Sequence, residues 1–306
     1  MRKDDKNMPC GLIIKGIGGL YDVKMDNNHN YSCKARGIFR KKGITPLPGD
    51  YVDISILDEG LKEGSIDVIH ERKSCLLRPA VANVDKIIII VCAPPPKPDF
   101  TLLDKLLIFS EKFEIEPVIC VNKSDIDEDD IFNYVNEAYG KAGYNVRSVC
   151  ALESKGLEGL FEDTKGKIIV FAGQSGVGKS TLLNSIFDKI IMPTGHVSDK
   201  IQRGKHTTRH TELIETKNGA YIADTPGFTS FELENMMKED VKDYYPEFIK
   251  REAECKYNGC LHINEPECSV KGAVEKGDID KARYERYLTF CDMLKDVKLY
   301  NINGKR

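Results

Sequence analysis

The chain has 306 residues, with 45 Lys and Arg against 48 Asp and Glu, a formal net charge of -3, 41% hydrophobic and 30% charged residues. This length buries a sizeable core in two or three domains, and the composition is that of a soluble globular protein rather than a small stapled one. A near-neutral balance excludes a uniformly basic surface, so a nucleic-acid partner would have to meet a local patch.

The first ten residues, MRKDDKNMPC, lack the apolar core of a signal peptide. The longest strongly apolar run, residues 87–93, is too short to span a bilayer. The expectation is a cytoplasmic protein with no membrane partner. Most of the ten cysteines stand singly in apolar runs, as Cys92 and Cys120 do, which reads as buried free thiols. Only Cys255, Cys260 and Cys268 look organised.

Residues 11–69 alternate apolar and polar in five short segments, at 12–17, 20–25, 31–37, 51–57 and 65–69, separated by turn-formers such as DNNHN and PLPGD. That predicts a small β-barrel; the pattern fits an OB-fold and leaves an SH3-like barrel open. Within it, CKARGIFRKK carries Lys34, Arg36, Arg40, Lys41 and Lys42 without an acid, with Tyr31 and Phe39 interleaved. This is a candidate surface for RNA phosphates and bases; the alternative is a solvated edge strand protected by lysines.

From residue 84 the period changes. KIIIIVCA and EPVICVN read as strands buried on both faces, and TLLDKLLIFSEKF between them reads as an amphipathic helix. A helix near 129–142, strands at 146–149 and 167–172, a helix from Lys179 and a strand at 220–224 complete a doubly wound α/β domain. Beyond about residue 232 the pattern is polar and helical.

Three motifs carry chemistry. Gly173-Gln174-Ser175-Gly176-Val177-Gly178-Lys179-Ser180, followed by Thr181, fits G-x-x-x-x-G-K-[ST] between a buried strand and a helix. Its backbone N–H groups would face phosphates, Lys179 would reach the β and γ oxygens, and Ser180 would bind Mg²⁺. Asp224-Thr225-Pro226-Gly227 ends a strand, where Asp224 would hold Mg²⁺ and the Gly227 N–H would meet the γ-phosphate. Asn122-Lys123-Ser124-Asp125 would read the base: guanine presents N1–H and N2–H side by side, so the Asp125 carboxylate accepts both, whereas adenine offers no such pair. Asn122 would brace the site and the Lys123 stem cover the ring. Cys150-Ala151 stands where GTPases usually carry Ser-Ala, offering main-chain N–H to guanine O6.

The base reader precedes the phosphate loop, the reverse of ordinary GTPases. A circular permutation explains this and preserves the site in space, because domain termini are close and exposed.

The stretches RGIFRKK…PGDYV, NKSD, GQSGVGKST, TGHVSDKIQRGKHTTRHT, DTPGF and CKYNGCLHINEPECSVKGAV together resemble the circularly permuted, ribosome small-subunit-dependent GTPase A family over nearly the whole chain. Lys205 departs from the Arg more usual there. The resemblance implies an OB-fold RNA-binding domain (1–75), a permuted P-loop GTPase domain (76–232) and a mainly helical zinc-binding domain (233–306). It implies a protein acting on the small ribosomal subunit and its rRNA late in assembly, with hydrolysis stimulated by that subunit and coupled to release; a monomer is the expectation, though the sequence leaves the oligomeric state open.

The set Cys255-x4-Cys260-x-His262-x5-Cys268 supplies three thiolates and an imidazole, sufficient for one structural Zn²⁺; free cysteines beside a surface histidine are the alternative. Ordinary GTPases place a water-orienting glutamine after the DxxG glycine, and here Phe228 stands there. The resemblance assigns that task to His206, with Thr207 or Thr208 closing on Mg²⁺ and the γ-phosphate. Two rival readings remain: an rRNA-binding assembly chaperone whose GTP/GDP site is structural, and an ATP-using P-loop protein, against which Asp125 argues.

Overall fold

The computed structural model describes residues 8–27, 29–77, 79–190, 211–224, 233 and 236–297, without the side chains of 77, 186–190 and 224. Two compact units result: Met1–Lys86 with Phe161–Val170 and Ile186–Pro226, and Ile87–Leu160 with Phe171–Ser185 and Gly227–Arg306.

The first unit opens with strands β1 (Cys10–Ile17), β2 (Leu20–Met25), β3 (Asn30–Ala35), β4 (Tyr51–Asp58) and β5 (Glu63–Ile69). The predicted segments are all found, with their ends moved by a few residues. They run in the order β1-β2-β3-β5-β4, and β4 pairs back onto β1, so the barrel is closed. Strands β3 and β5 are parallel, and a short helix, Gly37–Lys41, joins β3 to β4. This five-stranded closure is OB-like. Alternation places Ile13, Val23, Tyr31, Cys33, Val52, Ile54 and Ile66 in the core.

The same unit contains a hairpin, Cys75–Leu77 with Ala80–Ala82, and an antiparallel pair, Glu212–Glu215 with Tyr221–Asp224. Lys15 of β1 pairs with Glu212 in register, and their side chains form an ion pair at 3.1 Å. Neither the hairpin nor the strand Glu212–Glu215 is evident in the sequence, because strands this short show too little alternation.

In the second unit, Lys86–Cys92 is buried along its length, as its continuous apolar run requires. Glu116–Asn122 and Asn145–Ser148 pair in parallel, from Asn145 opposite Val118 to Ser148 opposite Val121. The helix Phe100–Lys112 starts at Asp99, whose Oδ1 accepts the Leu102 N–H at 2.9 Å. The single helix expected near 129–142 is two short ones, Ile131–Val135 and the wider Asn136–Gly140. Leu157–Thr164 is a further helix, and Lys179–Ile190 follows the phosphate loop.

The described C-terminal residues are helical: Val241–Tyr244, Pro246–Glu252, Ser269–Lys276 and Lys281–Met293 around Tyr245, Phe248, Val270, Tyr287 and Phe290. Among the described residues no helix is long and apolar enough to cross a membrane.

Candidate nucleotide site and metal centre

The strand Ile168–Ala172 runs into the phosphate loop, and the helix Lys179–Ile190 leaves it. Two glycines are obligatory there. A Cβ on Gly173 (φ 140°) would lie 2.2 Å from the Ile90 carbonyl oxygen, and one on Gly178 (φ 93°) would lie 2.3 Å from Asn122 Nδ2. Ser175, Gly176 and Ser180 are exposed, whereas Val177 is buried and anchors the loop. A loop of this shape, opening a helix, offers its N–H groups to an anion.

Asn122 is buried at the end of its strand and binds the loops together. Its Nδ2 donates to the Val177 carbonyl at 2.8 Å, and its Oδ1 accepts the Ala151 N–H at 3.0 Å. One side chain thereby links the phosphate loop to the loop that carries Cys150 and Ala151. Asp125 sits exposed on the turn Ser124–Ile126, where its carboxylate accepts the Cys150 thiol at 3.1 Å. The Cys150 N–H donates to Lys155 at 3.1 Å. Burial first, and then the Asp125 contact, push the Cys150 thiol above its ordinary pKa, so it remains a proton donor. The main-chain N–H groups of Cys150 and Ala151 are thus both engaged within the protein, by Lys155 and Asn122, and it is the Cys150 side chain that meets Asp125.

Lys123 adopts a left-handed conformation and its Nζ donates to the Pro95 carbonyl. Lys179 Nζ donates to the carbonyls of Gly173 and Gln174, and burial lowers its pKa. An incoming phosphate would take over these ammonium hydrogens. The Gln174 side chain reaches away from the loop, accepting the Asp99 N–H at 2.7 Å and donating to the Lys97 carbonyl at 2.9 Å. Asp224 ends the strand Tyr221–Asp224, and its side chain is outside the described set. His206, Thr207, Thr208, Gly227 and Phe228 also lie outside the described residues.

Cys255, Cys260, His262 and Cys268 place one ligand atom each within 4.8 Å of all the others. His262 Nδ1 lies 3.6 Å from Cys255 Sγ and 3.3 Å from Cys268 Sγ. Burial lowers the His262 pKa, holding the imidazole in its neutral, ligating form, and pushes the Cys260 thiol up to about 12, so an ion must displace its proton. The donor set and its compactness fit a closed tetrahedral Zn²⁺.

Hydrogen bonds from neighbouring side chains fix this ligand loop. Glu265 accepts the N–H groups of Leu261 (2.8 Å), Ile263 (2.9 Å) and Asn264 (3.0 Å). Its burial opposes ionisation, but these bonds outweigh it and bring its pKa below the ordinary value. Tyr284 donates to the His262 carbonyl at 2.6 Å, and Phe248 meets the His262 ring edge-on at 5.5 Å.

Comparison with known proteins decides the family. The model of the RsgA GTPase matches residues 69–234, and that of the RsgA N-terminal domain matches residues 10–66. The chain belongs to the RsgA GTPase family. It is 52% identical over 300 residues to the small ribosomal subunit biogenesis GTPase RsgA of Ruminiclostridium cellulolyticum, covering 98% of this chain and 97% of that one. With the protein of the same name from Alkaliphilus metalliredigens it shares 45% over 294 residues, covering 96% and 100%. The crystal structure of YjeQ from Thermotoga maritima superposes with a TM-score of 0.82 at 34% identity, covering 95% of this chain and 99% of that one. YloQ, described as a circularly permuted GTPase, gives 0.79 at 37%, covering 97% and 99%. This member of the family is accordingly a GTP hydrolase on the circularly permuted fold.

On the barrel, Lys34, Arg36, Arg40, Lys41 and Lys42 are all exposed, most of them on or beside the helix Gly37–Lys41 rather than on an edge strand. The aromatics behave otherwise than the sequence suggests. Tyr31 and Phe39 are buried in the barrel core, so neither can stack on a base; the patch offers charge alone. Arg36 is engaged by Asp67 at 2.7 Å.

Sequence reasoning also missed an ionic hub. Arg283, 1% exposed, pairs with Asp104 and Glu247, while Arg286 pairs with the other Asp104 oxygen. The rings of Tyr245, Tyr139 and Tyr144 surround the Arg283 guanidinium at 4.5, 5.0 and 5.4 Å. One signal was available: Asp104 interrupts the apolar run of TLLDKLLIF.

Proposed function

We propose that this GTPase acts in the biogenesis of the small ribosomal subunit, that the subunit stimulates its hydrolysis, and that loss of GTP releases it. The observation that carries this reading is the Asn122 brace, which holds phosphate loop and base-reading loops as one unit although their order in the chain is reversed. The relatives' name supplies the subunit.

In this reading Asp125 selects guanine, residues 173–181 hold the phosphates and Lys179 neutralises the β and γ oxygens. Ser180, Asp224 and Thr208 would hold Mg²⁺, whose positive charge would offset that of the phosphates. His206 accepts a hydrogen bond from the attacking water in place of the missing glutamine, with Thr207 and the Gly227 N–H beside the γ-phosphate. Lys34, Arg36, Arg40, Lys41 and Lys42 bind rRNA phosphates. One Zn²⁺ on Cys255, Cys260, His262 and Cys268 is structural. The protein works as a cytoplasmic monomer with a barrel (1–75), a GTPase domain (76–232) and a zinc domain (233–306).

GTP turnover measured with and without purified small subunits tests this. Slow basal and strongly stimulated hydrolysis is expected, and His206→Ala should remove most of the stimulation, about a hundredfold or more, with GTP affinity intact. Turnover indifferent to the subunit favours the chaperone reading, in which the nucleotide is structural.

A further inference from the structure

A second group of metal-ligating side chains lies on the barrel, apart from the Cys255 centre. Cys10 Sγ, an Asp53 carboxylate oxygen and a His70 ring nitrogen all fall within 4.8 Å of one another. Three strands bring them together. Cys10 opens β1 and is the register partner of Asp53 on β4, and antiparallel partners project to the same face. Val68 of β5 pairs with Asp53, and His70, two residues on, shares the face of Val68. His70 is held there by its N–H, which donates to the Tyr51 carbonyl at 2.9 Å. His70 Nε2 already lies 2.9 Å from Asp53 Oδ1.

We propose that Cys10, Asp53 and His70 form a three-ligand site for a thiophilic divalent cation of the Zn²⁺ type. One sulfur, one nitrogen and one oxygen donor suit a borderline ion rather than Mg²⁺ or Ca²⁺, which prefer oxygen alone. Ligands on a tetrahedral ion at about 2.0–2.3 Å stand roughly 3–4 Å apart, so small side-chain movements suffice. On binding, the Cys10 thiol gives its proton to solvent, and the His70 hydrogen resides on Nδ1 so that the Nε2 lone pair faces the ion. The half-exposed position leaves the fourth coordination place to water.

The location gives the ion a task. The barrel closes where β1 meets β4, from Cys10 opposite Asp53 to Leu12 opposite Tyr51. A cation at the first of these pairs would clamp the closing seam and tie in the end of β5. It would stabilise the barrel.

The test uses the full chain, first loaded with Zn²⁺ at the Cys255 centre and then titrated with Co²⁺. About one further equivalent should bind, with thiolate-to-cobalt charge-transfer absorption, and added Zn²⁺ should raise the melting temperature. Cys10→Ser should abolish that absorption, and His70→Ala should weaken binding by about tenfold or more. Asp53→Asn, which keeps the side-chain shape, should also weaken binding and serves if another variant unfolds. Absence of thiolate absorption in the wild type, or equal Co²⁺ binding by all three variants, overturns the site.

Discussion

The nucleotide loops and the C-terminal hub are both held on the helix Phe100–Lys112, by opposite means. At its start, Asp99 receives the Gln174 side chain from the phosphate loop, and the loop's working groups are main-chain N–H groups shaped by glycine. In its middle, Asp104 is fully buried and faces two arginines inside a cage of tyrosines. One region leaves Asp125 exposed and Lys179 half-buried on main-chain carbonyls that a ligand can replace; the other has its charges largely buried and paired with one another. A group that must bind and release a nucleotide cannot also be locked, so the stability of this part of the molecule belongs in the hub. Substitutions should therefore separate: hub changes alter folding, and loop changes alter nucleotide binding.

The largest effect is expected at Asp104. Replacing it by alanine strands the Arg283 guanidinium, which is 1% exposed, with only Glu247 left to compensate it. Breaking a buried pair from one side costs about 3–5 kcal/mol. Thermal unfolding of Asp104→Ala should show a large loss, whereas the replacement of Asp104, Arg283 and Glu247 together by apolar residues should recover much of it. An Asp104→Ala protein that melts like the wild type would erase the contrast between the regions.

Much of this division is visible in the sequence, though unevenly. The barrel strands, the buried runs 86–92 and 116–122 and the phosphate loop announce themselves through period-2 alternation, continuous apolarity and glycine spacing, all local properties. The Cys255, Cys260, His262 and Cys268 set is equally legible because its ligands lie within fourteen positions of sequence. The hub is not, since Arg283 and Asp104 are separated by 179 residues and neither has a local signature of its partner. The inward turn of Tyr31 and Phe39 was hidden for another reason: aromatic residues between lysines look alike whether they stack on bases or fill a barrel. The motifs mark the loops that carry Gln174 and Cys150, but the direction of each side chain follows from its neighbours, not from the motif.

A smaller effect, on the other side of the comparison, is expected at Asp125. Its carboxylate is exposed, so Asp125→Asn should leave the melting temperature nearly unchanged. Loss of a charged hydrogen-bond pair to guanine, worth about 1.5–3 kcal/mol, should cut GTP affinity by about tenfold or more and raise the relative affinity for xanthosine triphosphate. Calorimetric titration with both nucleotides reads this directly. Undiminished GTP affinity would remove Asp125 from base recognition.

The smallest effect is the most discriminating, because it concerns a side chain that the main-chain reading leaves idle. Cys150 donates its thiol hydrogen to Asp125 Oδ1 at 3.1 Å, on the carboxylate proposed to face guanine. A carboxylate already tethered on one oxygen loses less freedom when the base arrives, and the thiol is kept protonated by burial and by Asp125 itself. Serine at this position would make a stronger, shorter donor, whereas alanine would leave Asp125 to rotate in solvent. Removing one neutral hydrogen bond costs about 0.5–1.5 kcal/mol. Cys150→Ala should therefore weaken GTP binding by roughly two- to tenfold, Cys150→Ser should match or exceed the wild type, and both should melt as the wild type does. A purely main-chain role predicts no difference between serine, alanine and cysteine. Equal affinities across the three would thus assign Cys150 to packing, and an alanine defect rescued by serine would make it a positioning residue for the base reader.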